Sequence, residues 1–405
     1  MENEVYWIWL QQCLGYAKKL GKTFKNFTDA KEIYEAENDD RRVTFGNLVA
    51  IKMAETDLSE AKETFDFCKE HKIHVITPQS EFYPKNLLAI EDYPLVLYVR
   101  GDYKCLKSEL IIAVIGSRSA SQYGEKVTEY LVSGLAQNNV LVVSGGAVGI
   151  DSVAHEAAIN NSGKTVLVMG CGHGYNYLPE NSELRKRVAQ NGALISEYPP
   201  FFPVDQGSFP KRNRIISGMS DGVIVTEASK FSGTFSTVNH AIRQNKKIFS
   251  LPGDIISKKF EGSNKLIVDG AIPVFSGEGI LREYGFTDVK KVKGFKDEVT
   301  FKEIDEEGSN SERSKRSHAR GVSAKNKSPS EPHKTEIISE NPKNIPEGIS
   351  KNAQIVYNVM SEGVCELDEI IRNAQLEVRF VLSALTELEL FGVISTDGPN
   401  KYRIN

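Results

Sequence analysis

The chain has 405 residues, of which 40% are hydrophobic and 26% are charged, and its formal net charge at pH 7 is −4. Such a composition is typical of a globular protein, and the length predicts two to four domains at roughly 100 to 200 residues each. Because the whole chain is slightly acidic, its net charge does not attract polyanions, and any nucleic-acid binding requires a local basic patch.

The five cysteines are scattered through the chain without a C-x-x-C pair, which argues against both a disulfide framework and a zinc site. The N-terminal sequence MENEVYWIWLQQ is acidic, and its apolar run is too short for a signal peptide. No later stretch approaches the roughly 18 consecutive apolar residues of a membrane-spanning helix. We therefore expect a cytoplasmic protein without membrane insertion, and no motif indicates a metal or another cofactor.

The first part of the chain has apolar residues at helical spacing, for example Val5, Ile8 and Trp9. This pattern predicts a small helical domain over residues 1–69. Between residues 71 and 102 prolines and alternating apolar residues take over, and they predict short strands that lead into a sheet.

Six almost uniformly apolar runs follow, with intervening segments long enough for helices. Strands of this kind are buried on both faces, which indicates a parallel sheet between two layers of helices. We predict an α/β fold of the Rossmann-like, doubly wound type, with a mainly parallel sheet, over residues 70–288. The predicted strands are Ile111–Ile115, Val140–Val143, Thr165–Met169, Ala193–Glu197, Gly222–Thr226 and Lys247–Leu251.

This pattern is lost over residues 289–347, where large apolar side chains are few and charges of both signs mix with Ser, Gly and Pro. Such a segment cannot bury enough surface to offset the entropy of ordering, so we predict a disordered linker. The alternative is a basic tail that binds DNA. Residues 348–405 show three helical patterns followed by FGVISTDGPNKYRIN, which predicts two strands joined by a turn. Three helices and a hairpin indicate a winged helix-turn-helix.

Small residues follow several of the predicted strands, at the edge where the carboxyl ends of parallel strands meet. The turns are Gly116-Ser117-Arg118, Ser144-Gly145-Gly146, Gly170-Cys171-Gly172 and Ser232-Gly233-Thr234. They contain no G-x-G-x-x-G fingerprint and no Walker lysine, so ordinary NAD or ATP binding is poorly supported. Backbone N–H groups and hydroxyls along four strand ends instead favour a groove for a run of phosphates, with Arg118 as a fixed positive charge.

The densest basic cluster of the α/β region is the segment FPKRNRII. On a helix, Lys211 and Arg214 share a face, whereas Arg212 and Arg214 point in nearly opposite directions. We therefore expect at least one arginine to contact phosphate and another to pack against an internal carboxylate such as Glu197 or Glu227.

The aromatic residue ahead of this cluster, Phe209, has two interpretations. It is a base-stacking residue, a contact that contributes roughly 1 to 3 kcal/mol, or it is a core aromatic. The sequence alone favours neither.

A possible catalytic set follows the second turn, where Asp151 and His155 lie four residues apart on one helix face and Ser152 is adjacent. This set suggests a hydrolase. Against that interpretation, the Asp and Ser side chains diverge on a helix, Asp151 is a natural N-cap, and no G-x-S-x-G elbow occurs elsewhere. We expect no catalytic residues here.

Long stretches of the α/β region run in the order YPLVLYVRGD, AVIGSRSASQYG, VSGGAVGIDSVAH, FPKRNRIISGMSDGVIVTEA and GSNKLIVDGA. Over about Tyr93 to Ala271 the sequence resembles the bacterial DNA-processing protein A family, DprA or Smf. Weaker resemblance covers an N-terminal domain similar to a sterile alpha motif and a C-terminal winged helix. The segments SGTFST and GHGYNYLPEN depart from the family's commoner sequences.

The resemblance implies a non-enzymatic protein with an extended Rossmann domain that binds single-stranded DNA. It also implies a homodimer that protects incoming DNA and helps to load RecA recombinase during natural transformation. Arg118 and Phe209 match the family's DNA contacts, and Lys211 matches less well. With the turns and the basic cluster added, our candidate DNA-binding residues are Gly116, Ser117, Arg118, Ser144, Gly145, Gly146, Phe209, Lys211, Arg212, Arg214, Ser232 and Gly233.

The alternative is a Rossmann-like enzyme that acts on nucleoside monophosphates, of the phosphoribohydrolase type. Those enzymes also place a Gly-Thr turn at the start of a helix, and they typically carry a glutamate three residues after the threonine. Thr237 occupies that position here, so the carboxylate for glycosidic cleavage is missing.

The third predicted helix of the winged helix is acidic, with Glu377, Glu387 and Glu389 against Arg379 alone. In DNA-binding winged helices this helix enters the major groove, where negative charge is unfavourable. We expect an auxiliary or protein-contact role for this domain.

Overall fold

The structure is a computed structural model that describes residues 2–18, 27–175, 179–205, 207–290, 292, 349–361, 363, 365–376, 378–390, 393–397 and 401–404. The chain divides into two compact units, Met1–Glu303 and Ile304–Asn405. Most of the predicted linker, residues 289–347, lies outside the described residues, and its disorder stays a prediction.

Within its described residues, the first unit begins with five helices, as the spacing of apolar residues predicted. Helix α1 has nearly its whole circumference buried, including Trp7, Trp9 and Leu10, because its neighbours surround it. The same core contains Tyr98 of the sheet, so the helices pack directly against the α/β region. The likeness to a sterile alpha motif stays a prediction. The helices are α1 (Asn3–Leu14), α2 (Ala30–Glu35), α3 (Asn38–Phe45), α4 (Asn47–Glu55) and α5 (Ser59–Glu70).

One sheet organises the rest of this unit. Its strands are β1 (Ile73–Ile76), β2 (Leu97–Gly101), β3 (Ile111–Ile115), β4 (Leu141–Ser144), β5 (Thr165–Val168), β6 (Ala193–Ser196), β7 (Gly222–Val225), β8 (Lys247–Ser250) and β9 (Ile272–Pro273). Their spatial order is β1-β2-β6-β5-β4-β3-β7-β8-β9. Strand β2 is antiparallel to β1 and to β6, and the other neighbours are parallel, which confirms the mainly parallel sheet.

Helices cover both faces of the sheet. They are α6 (Lys85–Leu88), α7 (Gln122–Gln137), α8 (Ile150–Asn160), α9 (Ser182–Asn191), α10 (Ser208–Met219), α11 (Thr234–Arg243), α12 (Glu261–Val268) and α13 (Gly277–Glu283). In β3, Ile111, Ala113 and Ile115 pack on the side of α10 and α11, whereas Ile112 and Val114 pack on the side of α7 and α8. This two-sided burial explains the continuous apolar runs and confirms the doubly wound fold.

The strand order reverses at β3. From β3 the chain builds the sheet outward through β4, β5 and β6, and it then returns to place β7 on the other side of β3. The helix after β3 and the helix after β7 therefore lie on opposite faces, and a crevice opens between them at the carboxyl ends of the strands.

Among its described residues, the second unit contains three helices and a pair of antiparallel strands, as predicted for a winged helix. They are α14 (Lys351–Ser361), α15 (Leu367–Ala374), α16 (Val378–Leu390), β10 (Ile394–Thr396) and β11 (Tyr402–Ile404), with the two strands antiparallel. Its core includes Val356, Met360, Ile370, Val381 and Leu385. Among the described residues of both units, no helix has the length and apolarity that crossing a membrane requires.

Candidate nucleic-acid interface

An open pocket of about 470 Å³ lies at the point where the strand order reverses. Its walls come from the loop after β3, the turn after β4, the first half of α10 and the loop after β7 with the start of α11. We call it the Arg118 pocket. Four separate segments of the sequence thus meet in one site.

The loop after β3 presents Arg118 to solvent. Ser117 is held in place because its N–H donates to the Glu227 carbonyl at 2.8 Å. Arg118 itself is exposed, and its side chain forms no hydrogen bond or ion pair with another described residue. A Cβ at Gly149, whose φ is +84°, would lie 2.4 Å from the Ser117 carbonyl oxygen, so the next turn packs directly under this loop. The backbone of this loop is therefore fixed by its contacts, and the exposed guanidinium of Arg118 is available to an external anion.

The opposite wall is the turn before α11. The Ser232 hydroxyl donates to Thr234 Oγ1 at 2.8 Å, and that hydroxyl donates to the Gly116 carbonyl at 3.1 Å. A Cβ at Gly233 would meet no atom within 4 Å. The turn after β7 is thus tied to the turn after β3, and both line one cavity.

Helix α10 supplies the aromatic side chain. The Ser208 hydroxyl donates to the Gly170 carbonyl and fixes the start of the helix at the end of β5. Phe209 is half-buried, and a Cβ at Gly170 would lie 2.6 Å from its ring, so the ring packs directly against that glycine. Phe209 also lines the Arg118 pocket, and the guanidinium carbon of Arg212 lies 5.8 Å from the centre of its ring.

Arg212 forms the floor of the pocket. Its Nη1 donates to the carbonyls of Gly145, at 2.9 Å, and Val168, at the ends of β4 and β5. A Cβ at Gly145 would lie 2.9 Å from Arg212 Nη2 and 3.0 Å from Asp151 Oδ2, so only glycine leaves room for both side chains. Burial raises the pKa of the Asp151 carboxyl, and the positive charge of Arg212 opposes that rise.

Arg214 points the other way and is not part of the pocket lining. Its Nη2 donates to Glu197 Oε1 at 2.6 Å, and its Nε lies 3.3 Å from Asp92 Oδ2. The expectation that the two arginines diverge, with one of them on Glu197, is confirmed. Arg214 is a buried ion-pair residue in this geometry, and we leave it out of the proposed DNA contacts.

Comparison with known protein families identifies the chain. The model of DNA recombination-mediator protein A matches residues 74–285, and the model of the DprA winged helix domain matches residues 340–398. The chain belongs to the DNA recombination-mediator protein A family. The resemblance seen in the sequence is therefore confirmed, as is the winged helix.

Similar members of the recombination-mediator family come from several bacteria. Protein Smf of Escherichia coli K12 is 43% identical over 216 residues, which are 53% of this chain and 57% of that protein, little more than half its length. DNA processing protein DprA of Streptococcus pneumoniae R6 is 34% identical over 275 residues, or 66% of this chain and 96% of that one. The X-ray structure of DNA processing protein A from S. pneumoniae superposes with a TM-score of 0.62 at 30% identity, covering 71% of this chain and 99% of that one.

The structure separates the candidate residues into those that line the Arg118 pocket and those that do not. Ser144 is fully buried, and its hydroxyl donates to the Val114 carbonyl at 2.7 Å, so it is not exposed to a ligand. Gly146 is a buried turn residue with φ +70°. Lys211 is exposed on α10 but outside the pocket lining. Those that do line the Arg118 pocket are Gly116, Ser117, Arg118, Phe209, Arg212, Ser232 and Gly233, and Gly145 and Gly146 line a narrow cleft beside it.

The residues of the hydrolase alternative do not form a nucleophile–base pair. His155 is buried, its Nδ1 lies 2.7 Å from Thr165 Oγ1, and burial lowers its pKa to about 3. The Ser152 hydroxyl instead donates to the Ala147 carbonyl at 2.7 Å. Thr237, where a phosphoribohydrolase would carry glutamate, lines the pocket without a carboxylate.

Several residues near the pocket were not predicted from the sequence. Asn213 and Ser236 line it, and Lys259 Nζ donates to the Ser119 carbonyl at 2.9 Å, which adds a second positive charge beside Arg118. Phe231, between the lining residues Ser229 and Ser232, is 85% exposed. A large aromatic residue in the polar segment EASKFSG is the sequence signal that could have indicated Phe231.

Proposed function

We propose that the chain binds single-stranded DNA in the Arg118 pocket and acts as a non-enzymatic recombination mediator in the cytoplasm. The observation that carries this proposal is the pairing, within one open pocket, of an exposed arginine with a half-buried aromatic ring. Arg118 offers charge-assisted hydrogen bonds to a phosphate, and Phe209 offers a flat apolar face to a base.

The same pairing favours a single strand over a duplex. In a duplex the base faces are stacked on each other, so a protein ring reaches them only when the strand is open or the base is extruded. Stacking on an aromatic ring tolerates any base, because every base has a flat π-face. We therefore expect little sequence preference.

The roles of the other candidates follow from their placement. Ser117, Ser232 and Gly233 lie at the two walls and are suited to contact the phosphate backbone. Arg212 is committed to carbonyl oxygens and contributes its charge from the floor. Lys211, exposed beside the pocket, is suited to a neighbouring phosphate.

A titration of labelled oligothymidine at several salt concentrations tests this proposal. Three or four neutralised phosphates should give a log–log salt slope of roughly −2 to −3, at about 0.7 per phosphate on a single strand. A duplex of the same length serves as the control. Equal affinity for duplex and single strand would contradict the proposal.

In the cell, we propose that this activity protects incoming DNA and helps to load RecA recombinase during natural transformation, with the protein as a homodimer. Family membership supports this part. Faster RecA filament growth on oligothymidine in the presence of the protein tests the loading. Light scattering tests the dimer, and a monomeric mass at micromolar concentration would count against it.

For the winged helix we propose a protein-contact role. Helix α16 exposes Val378, Phe380 and Leu382, at 51%, 39% and 43%, and apolar side chains of this size are suited to a protein partner rather than to phosphate. Micromolar binding of duplex DNA by this unit at physiological salt would contradict the assignment.

A further inference from the structure

A second pocket, of about 270 Å³, lies beside the Phe209 end of the first. It is bounded by α9, by the loop after β5 and by the end of β2, and we call it the Tyr175 pocket. A narrow cleft of about 20 Å³ lies between the two. The cleft shares Phe209 and Arg212 with the Arg118 pocket, and it shares Met169 and Arg185 with the Tyr175 pocket. The cleft thus shares lining residues with both pockets.

The Tyr175 pocket is lined by basic side chains, one of which, Arg185, lies near the Glu180 carboxylate. Three of its lining side chains are Arg100, Arg185 and Lys186, and none of the described lining residues is an aspartate or a glutamate. Lys186 has an exposed neighbour, Glu183, at 3.3 Å, but a solvent-exposed pair of this kind contributes little and is easily exchanged for another anion. Positive charge from two separate elements, β2 and α9, therefore converges on one cavity.

Two further features narrow the ligand class. Tyr175 is 40% exposed and lines the pocket, so it offers an aromatic face next to the cations. His173 adds no charge near neutral pH, because burial lowers its pKa to about 4. Its Nε2 lies 2.8 Å from the Tyr98 carbonyl oxygen, a contact that only partly opposes this shift in pKa. An aromatic face beside several fixed cations is the combination that binds a nucleotide, which carries both a flat base and a phosphate.

We propose that the Tyr175 pocket is a second nucleotide subsite, which binds the part of the same DNA strand that extends past Phe209. This inference rests on the proposed function, because it continues the path of a strand held in the Arg118 pocket. Arg100 and Lys186 contact phosphates, and Tyr175 stacks on a base. Arg185, on the wall shared with the cleft, contributes positive charge between the two sites.

The test is the dependence of affinity on oligonucleotide length, measured by anisotropy with oligothymidines of roughly 4 to 20 nucleotides. Native protein should gain affinity with length until both subsites are filled. Lys186→Glu and Tyr175→Ala should each lower the affinity of the long oligonucleotides about 5- to 10-fold and leave the shortest ones that bind unchanged. Lys186→Glu should also reduce the salt slope by about 0.7.

Lys290→Glu is the matched charge control. Lys290 is exposed, and its N–H donates at 2.8 Å to Asn138 Oδ1, the residue that ends α7 just before β4 begins. It therefore lies at the amino ends of the strands, the edge opposite the Arg118 pocket. Its substitution makes the same charge change as Lys186→Glu.

The outcomes separate this inference from the proposed function. If long oligonucleotides bind Lys186→Glu and Tyr175→Ala as they bind native protein, the second subsite does not exist, while the Arg118 pocket stands. The second subsite is equally refuted if Lys290→Glu loses as much affinity as Lys186→Glu, or if short and long oligonucleotides lose affinity equally. If native protein binds no oligothymidine at all, the proposed function fails and the subsite fails with it.

Discussion

Replacing Arg214 by alanine should destabilise the protein and leave its DNA contacts in place. The Arg214 side chain is 1% exposed and is enclosed by two carboxylates, Glu197 at 3% and Asp92 at 28%. Its removal leaves Glu197 as an unpaired buried charge, whereas Asp92 recovers part of its hydration. Breaking a buried ion pair costs about 3 to 5 kcal/mol, and because Asp92 is partly exposed, we expect a loss of about 3 kcal/mol.

Urea unfolding followed by tryptophan fluorescence measures this loss. The chain has two tryptophans, Trp7 and Trp9, and both lie in the core of the first unit, so the signal reports on that unit. With an m-value of about 2 to 3 kcal/mol/M, the midpoint should fall by roughly 1 to 1.5 M. Arg118→Ala, at an exposed side chain, should keep the native midpoint. If Arg214→Ala kept that midpoint but lost oligothymidine binding, Arg214 would be a DNA contact, and its assignment as a structural ion-pair residue would be refuted.

Three other substitutions test the site and its surroundings. Arg118→Ala should weaken oligothymidine binding about tenfold, as one lost charge-assisted hydrogen bond, and should lower the salt slope by about 0.7 in the same titration; an unchanged slope would rule out a phosphate contact. Gly149→Ala places a Cβ 2.4 Å from the Ser117 carbonyl oxygen at φ +84°. It should cost about 1 to 3 kcal/mol of stability and weaken DNA binding by moving the Arg118 loop, and native affinity would show that the loop position is irrelevant. For His155, burial lowers the pKa from 6.5 to about 3, so the unfolded chain binds the proton first as the pH falls. His155 should therefore lower stability by about 1.4 kcal/mol per pH unit below about pH 6.5, and His155→Gln should show a weaker drop between pH 7 and pH 5 in urea titrations.

The sequence was most informative where one physical cause controls the pattern. Burial of a strand on both faces requires continuous apolar residues, and for this reason β3, β4 and β5 were predicted close to their observed positions. Helical geometry alone required Arg212 and Arg214 to diverge, and the structure shows that they do. The family could also be recognised, because its turns and its basic segment keep their order along the chain.

Prediction was weaker where a residue's role depends on its partner across the fold. Ser144 and Ser232 both follow apolar strands, and the local sequence does not distinguish them. Ser144 is buried against Val114 because it is the last residue of β4 inside the sheet, whereas Ser232 lies in the loop after β7 and lines the pocket. The antiparallel insertion of β2 between β1 and β6 likewise depends on a long-range pairing.

By itself, then, the sequence determined a doubly wound domain, a winged helix, a glycine-rich edge and a nearby basic helix, because each follows from local periodicity, turn chemistry or residue order. Only the tertiary structure decided that Arg118 is exposed whereas Arg214 is buried and paired with Glu197. It also decided that Arg100 and Lys186, far apart in the chain, line one pocket. The physical reason is that burial and charge pairing are set by the packing of distant segments, which no short-range pattern records.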